Sequence, residues 1–203
     1  MKKIITYTFF TIFVFTNCIS QNINYGVKAG VNISSFVGRS IFNKSLIGPQ
    51  LGGFAEITFN DKLSVQPELL LSYQGAEAEY DKQNRFKISI NYVNLPITVK
   101  YNFIDKFSIF AGPQIGYLVK ATVKNKSNNK FEILNNSDET NIKDLYETIG
   151  YSFNLGLNYN ISEEIFADVR YNYGLSNITK GNSSLFGNGL KNNVIQISFG
   201  YRL

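Results

Sequence analysis

From Ile149 to Asn160 the chain alternates without a break. Ile149, Tyr151, Phe153, Leu155, Leu157 and Tyr159 fall on one parity, and Gly150, Ser152, Asn154, Gly156, Asn158 and Asn160 on the other. The C-terminal segment repeats the pattern, with Ile195, Ile197, Phe199, Tyr201 and Leu203 set against Gln196, Ser198, Gly200 and Arg202. A period of two places successive side chains on opposite faces of a strand. The same reading applies to 24–36, 49–59, 63–74, 87–103, 107–123 and 165–175. With 148–160 and 193–203, the sequence predicts eight strands. Each has about ten residues or more, enough at roughly 3.3 Å per residue for a tilted strand to cross a hydrocarbon slab.

The connections alternate in length. Asn60-Asp61-Lys62, Ile104-Asp105-Lys106 and Ile161 to Glu164 are tight, whereas 37–48, 75–86, 124–147 and 176–192 are long and polar. Membrane barrels sort their connections this way, with short periplasmic turns and longer outer loops. Residues 139–147 have the composition of a helical turn or two.

Two architectures bury one face of every strand. A soluble barrel or sandwich turns the apolar face inward; a membrane barrel turns it toward lipid and keeps a polar interior. The apolar faces here end in large rings: Tyr25, Phe59, Tyr101, Phe107, Tyr159 and Tyr201 at one end, and Tyr73, Tyr151, Tyr171 and Tyr173 at the other. Such rings suit headgroup layers, where one edge is wet and the other dry. The opposite faces are rich in Gly, Ser and Asn, which fit a narrow lumen. The expected fold is therefore all-β: an eight-stranded antiparallel up-and-down transmembrane β-barrel preceded by a signal peptide. Pro67, Pro96 and Pro113 fall inside predicted strands and lack a ladder donor, so bulges are expected there.

The N-terminus supplies that signal. Lys2 and Lys3 precede an apolar run from Ile4 to Thr16, too short for a membrane-spanning helix. Cys18 and Ser20 then offer small residues for cleavage before Gln21. This divides the chain into a signal peptide, 1–20, and a barrel domain, 21–203. An uncleaved anchor and lipidation of Cys18 are the competing readings; Phe15 and Asn17 depart from a lipobox. With export and a barrel fold, the mature chain is expected in the outer membrane of a Gram-negative bacterium.

Composition narrows the chemistry. Charged residues make up only 17% of the chain while aromatics reach 15%, which suits a protein with a large non-aqueous surface. No histidine is present, which excludes His-based acid–base pairs and His-metal sites. The single cysteine excludes an internal disulfide and CxxC sites. The net charge of +5 is scattered rather than clustered, so nucleic-acid binding is not expected. Glu163-Glu164 sits in a turn, Asp138-Glu139 with Asp144 matches no EF-hand spacing, and the glycines around 181–189 form no phosphate loop. No enzyme activity, cofactor or metal is expected. The charges on polar faces are Lys28, Glu56, Glu68, Lys100, Lys120, Asp168, Arg170 and Arg202. An unpaired buried charge costs several kcal/mol, so these eight are expected to form a pairing network that fills the lumen.

Several segments resemble PorT-type outer-membrane β-barrel proteins of Bacteroidetes-like bacteria. They are Gly26-Val27-Lys28-Ala29-Gly30-Val31-Asn32, Gln66-Pro67-Glu68-Leu69-Leu70, Tyr92-Val93-Asn94-Leu95-Pro96-Ile97 with Lys100-Tyr101, and Ala111-Gly112-Pro113-Gln114-Ile115-Gly116-Tyr117. The resemblance implies an integral outer-membrane barrel and accommodates the prolines; it marks barrel type, not activity. The leading expectation is a plugged barrel with exposed loops and a structural or interaction role. A narrow channel or accessory of protein secretion or transport, and a periplasmic lipocalin-like binder, are the alternatives. Expected partners are outer-membrane lipid, the barrel-assembly machinery during biogenesis, and a protein or surface met by the loops.

Overall fold

In the computed structural model, residues 22–38, 44–81, 84–127, 140–180 and 189–203 are described. The signal segment, 1–20, lies outside them, as do Asp138 and Glu139. Nine strands follow in order: β1 Asn22–Val37, β2 Lys44–Asn60, β3 Leu63–Asp81, β4 Asn84–Ile104, β5 Phe107–Ser127, β6 Thr140–Asn141, β7 Ile149–Asn160, β8 Ile165–Gly174 and β9 Lys191–Arg202. β6 is a two-residue strand on the edge of β5. The other eight are antiparallel and pair with their neighbours in sequence, and β1 pairs with β9. The sheet is thus a closed eight-stranded up-and-down barrel. Its closing seam runs from Gly26 opposite Arg202 to Val37 opposite Lys191, and the Leu203 amide donates to the Tyr25 carbonyl at 2.8 Å. Closure removes the free edge that would otherwise invite aggregation.

The short turns are stabilised by their own side chains. Asn60 Oδ1 accepts from the amides of Lys62 and Leu63, both at 3.0 Å. Ser162 Oγ accepts from the Ile165 amide at 3.0 Å. Asn and Ser favour turns for this reason. The region 75–86, read from sequence as a loop, is largely strand: β3 and β4 stay paired from Gly75 opposite Ser89 out to Asp81 opposite Asn84. Its polar residues mark a hairpin that rises above the apolar band, not a loop.

The prolines cause no register shift. Pro67, Pro96 and Pro113 each keep their pairing with the following strand, opposite Ile97, Gln114 and Phe153. Each interrupts the ladder only toward the preceding strand, where the pairs skip from Phe54/Glu68 to Ile57/Val65, from Pro67/Ile97 to Leu70/Asn94, and from Pro96/Gln114 to Val99/Ala111. Bulges are therefore not how these prolines are accommodated. In an antiparallel ladder each residue addresses one neighbour with its N–H, so a proline loses one bond and leaves the other side intact.

Burial is inverted relative to a water-soluble barrel. Leu51, Leu69, Leu71, Leu155 and Phe199 are each at least half exposed. Asn32, Ser34, Asn154 and Ser198 have no accessible surface. Shielding such a side chain from water is worth roughly 1.5–3 kcal/mol, and a chain that left so many outside in water would forgo its main folding term. A hydrocarbon surround supplies it. The aromatic ends stand where the sequence places them, with Phe107 packed on Tyr159 at 4.8 Å and stacked on Phe103 at 6.3 Å.

Candidate functional site: the barrel lumen

Inward positions of β1, β2, β3, β4, β8 and β9 bring charged side chains together in two groups. Near the short-turn end, Glu56 accepts from Lys100 at 2.8 Å and from Arg202 Nε at 3.1 Å. Ser64 Oγ adds a third bond to Glu56 at 3.0 Å, and Arg202 also reaches Asn160 Oδ1 at 2.9 Å. One level further in, Glu68 accepts from Arg170 at 2.6 Å, from Gln66 at 2.7 Å and from Lys28 at 3.4 Å. Lys28 also meets Asp168 at 2.5 Å. Lys28, Glu56, Glu68, Lys100, Asp168 and Arg170 are buried, and Arg202 is half-buried.

Lys120 requires a correction. It is exposed and stands outside this assembly. β5 carries an extra residue against β4, where Tyr92 faces Leu118 and Asn91 faces Lys120, so Val119 has no opposite number. A bulge of one residue reverses the parity beyond it. Leu118 and Ala121 then point inward, and Lys120 joins the outward row.

Three phenyl rings that the alternation did not single out share the lower lumen. Phe54, Phe110 and Phe166 stand opposite Gly26, Gly156 and Gly200. Each ring lies over its glycine: a Cβ on Gly200 would come within 2.1 Å of the Phe166 ring. The rings also carry the cations. Arg170 sits 4.9 Å from the Phe110 centroid, Arg202 4.8 Å and Lys100 5.5 Å from that of Phe166. A desolvated cation over a ring face gains on the order of 2 kcal/mol. The signal for these rings was glycine and phenylalanine on the inner parity of neighbouring strands, readable only once the register is known.

Above the charges lies an uncharged polar layer. Asn32 donates to Ser72 at 2.8 Å, Asn172 to Asn154 and to Ser152 at 2.8 Å, and Asn154 to Gln114 at 3.2 Å. Gln50 and Asn192 reach across to Ser198 and Gln74. The outer end is capped by apolar side chains: Phe36, Ala76, Ala78, Ile88, Ile90, Tyr92, Leu118, Ala121, Ile142, Tyr146, Ile178 and Leu190. Four of these come from the connections. The 3-10 turn Lys143–Leu145 and its flanks fold over the mouth, where Tyr146 bridges to Thr179 and the Glu147 amide donates to the Ile178 carbonyl at 2.9 Å. Burial, and secondarily the neighbouring Tyr92, pushes the Tyr146 hydroxyl above the usual tyrosine range. Sequence reading missed this cap because the apolar parity of β4 switches within the strand, from Phe86, Ile88, Ile90 and Tyr92 to Val93, Leu95, Ile97 and Val99.

Among the described residues, no three His, Cys, Asp or Glu side chains gather in a metal-binding arrangement. Glu163 and Glu164 lie exposed in the β7–β8 turn, and Asp144 is exposed on the 3-10 turn.

The fold has solved counterparts. The attachment invasion locus protein Ail of Yersinia pestis superposes with a TM-score of 0.53 at 14% identity, covering 89% of this chain and 98% of that one. A second Ail structure, in complex with the heparin analogue sucrose octasulfate, gives 0.52 at 14% identity over 90% of this chain and 99% of that one. Neisserial surface protein A gives 0.50 at 11% identity over 91% and 99%. At these identities the likeness concerns the fold. No curated protein matches the chain. Residues 19–180 match the family model described as an outer membrane protein beta-barrel domain, and with its outward apolar face and closed eight-stranded ring the chain belongs to that outer-membrane family.

Proposed function

We propose that this outer-membrane barrel is a closed anchor whose lumen is filled by its own side chains and whose outer connections form an interaction surface. The carrying observation is the stack inside the ring: Glu56 and Glu68, each bound by two cations, and an apolar cap over the outer mouth. Eight strands enclose only enough space for side chains. Ion pairs across the lumen and the cap over its mouth stand in the way of solutes, and the recess between them, lined by Gln74, Asn94, Gln114, Asn172 and Asn192, carries no carboxylate and no cation, so the reading includes no transport and no catalysis. The lipocalin-like alternative needs an apolar ligand cavity, whereas Lys28, Glu68 and Arg170 occupy the middle of this one.

The narrower kinship to PorT-type proteins rests on the segments around Gly26–Asn32, Pro67, Pro96 and Pro113. A narrow channel or an accessory of protein secretion or transport is the second functional reading, with the loops as the accessory surface. Export through a signal peptide cleaved after Ser20, and delivery by the barrel-assembly machinery, complete the proposal. Planar-bilayer recording tests the plug. The expected trace shows no steady conductance, and a stable open level would transfer the protein to the channel class.

A further inference from the structure

On the inner parity near the outer end of β5, β7 and β8, glycines take the place of side chains. Gly116 stands opposite Gly150, and Gly174 opposite Ser152. Lower in the ring, Gly26, Gly156 and Gly200 are each covered by a phenyl ring, but Gly150 is not. Among the described residues, a Cβ built there would meet only Ser176 Oγ, at 3.7 Å. This stretch of wall is bare backbone. It bounds a recess between the uncharged polar layer and the apolar cap, with Ile178 of the cap among its lining residues. Gly150 and Ser176 are partly exposed, so the recess reaches the surface beside the outer end of β7. There Ser176 Oγ accepts from the Tyr151 amide at 2.9 Å.

The polar side of the recess consists of the side-chain amides of Gln74, Asn94, Gln114, Asn172 and Asn192. Most of their capacity is used within the layer: Asn192 donates to Gln74, Asn154 to Gln114, and Asn172 to Ser152 and Asn154. Two atoms are left over. Asn94 Nδ2, a donor, and Asn192 Oδ1, an acceptor, make no hydrogen bond among the described residues, and both side chains are more than nine-tenths buried. Buried polar atoms without partners are costly, so a ligand that both accepts and donates is favoured. A hydroxyl does both. A charged ligand would lose its hydration here and meet no counter-charge. The recess has room for water-sized groups over about 40 Å³, against roughly 10–15 Å³ for one water. That accommodates a few hydroxyls, not an oligosaccharide. The Tyr92 ring, beside Gly116, adds an apolar surface for the C–H face of a small ring.

We propose that this recess binds the hydroxyl-bearing edge of one neutral sugar ring, presented at the outer mouth as a free sugar or as the head of a neutral glycolipid. Asn94 donates to one hydroxyl oxygen, and Asn192 accepts from a hydroxyl. The ion pairs of Lys28, Glu68 and Arg170 lie below, so the sugar is held at the mouth and goes no further. The proposal rests on the membrane-barrel reading above and goes beyond it by giving the outer mouth a ligand of stated chemistry.

The chain, carrying isotope-labelled glycine, is refolded into dimyristoyl phosphatidylcholine nanodiscs, and heat-modifiable gel migration establishes the barrel independently of the recess. Glycine amide resonances are then followed by NMR as glucose, galactose or mannose is added, or with monogalactosyl diacylglycerol included in the nanodisc. The expected result is a saturable shift at Gly116, Gly150 and Gly174 with a free sugar or with the glycolipid, and none at Gly156 or Gly200. Either source supports the site, and the two arms tell them apart. Glucuronate, a sugar ring with a carboxylate, should bind about tenfold more weakly or less. Asn94→Leu should weaken the neutral sugar about tenfold, and Gly150→Val, which fills the recess, should abolish the shifts at Gly116 and Gly174. If Gly150→Val does not fold, wild type and Asn94→Leu decide the matter. No saturable shift at the three recess glycines in any arm, glucuronate binding as tightly as the neutral sugars, or unchanged affinity in Asn94→Leu would overturn the proposal. Absence of any heat-modifiable form of the wild type would sink the membrane reading itself, and the proposal with it.

Discussion

At the scale of single residues the lumen is held by carboxylates that each serve several donors. Glu68 accepts from Arg170, Gln66 and Lys28 with no accessible side-chain surface of its own. Removing it strands the buried Arg170, while Lys28 keeps Asp168, and breaking a buried pair from one side costs about 3–5 kcal/mol. Glu68→Ala should therefore lower the free energy of urea unfolding in vesicles by that order, with Glu68→Gln milder because it keeps an acceptor for Arg170. A loss below about 0.5 kcal/mol, the range of an ordinary surface substitution, would refute this role. The glycine–phenylalanine pairs make a second claim. A methyl on Gly200 would collide with the Phe166 ring, and overpacking of this kind costs about 1–3 kcal/mol. Gly200→Ala should be destabilised by that amount and partly restored by Phe166→Leu in the same chain. Additive losses in the double variant would show that the contact is not the cause.

At the scale of elements, regular strands could be read from sequence and irregular ones could not. β7 keeps strict alternation because nothing interrupts its pairing from Phe107/Tyr159 to Tyr117/Ile149. In β5 the same counting places Lys120 in the lumen and fails, because one extra residue shifts every later side chain by one face. Nothing in Leu118-Val119-Lys120-Ala121 announces the bulge. Only the partner strand, with Ile90 and Tyr92 needing inward neighbours, reveals it. The prolines misled in the opposite sense: their missing donors suggested bulges, yet each removes a bond on one side only and the register holds. Lengths were also understated, since β3 and β4 continue past the apolar band as a polar hairpin. One consequence can be tested directly. Deleting Val119 restores alternation with Leu118 and Ala121 inward and Lys120 outward, and leaves the β5–β7 pairing below it untouched. This deletion should preserve heat-modifiable migration. Deleting Ile115, within that pairing, should abolish it by sending the following side chains to the wrong face. The reverse outcome would show that the bulge itself is required.

At the scale of the whole molecule, two solvents decide which residues go where. Water-facing polar groups sit in the rims, polar groups shielded from both solvents pair inside, and apolar side chains take the perimeter. The perimeter and the ring were legible because alternation alone encodes them. The lumen's vertical order was not, since charge, amide and apolar layers are assembled from six or more strands whose register no single segment specifies. The apolar cap depends further on Ile142, Tyr146, Ile178 and Leu190, which come from connections and show no period at all. The most direct test of the account is the accessibility of spin labels placed one at a time at Tyr151, Phe153, Leu155, Leu157 and Tyr159 in vesicles. Collision with lipid-soluble oxygen should peak at Leu155 and fall toward both ends, while a water-soluble nickel reagent shows the opposite profile. Uniformly low oxygen collision along the row, with no maximum at its centre, would mean that these side chains form an interior core and would contradict the assignment of the perimeter to lipid.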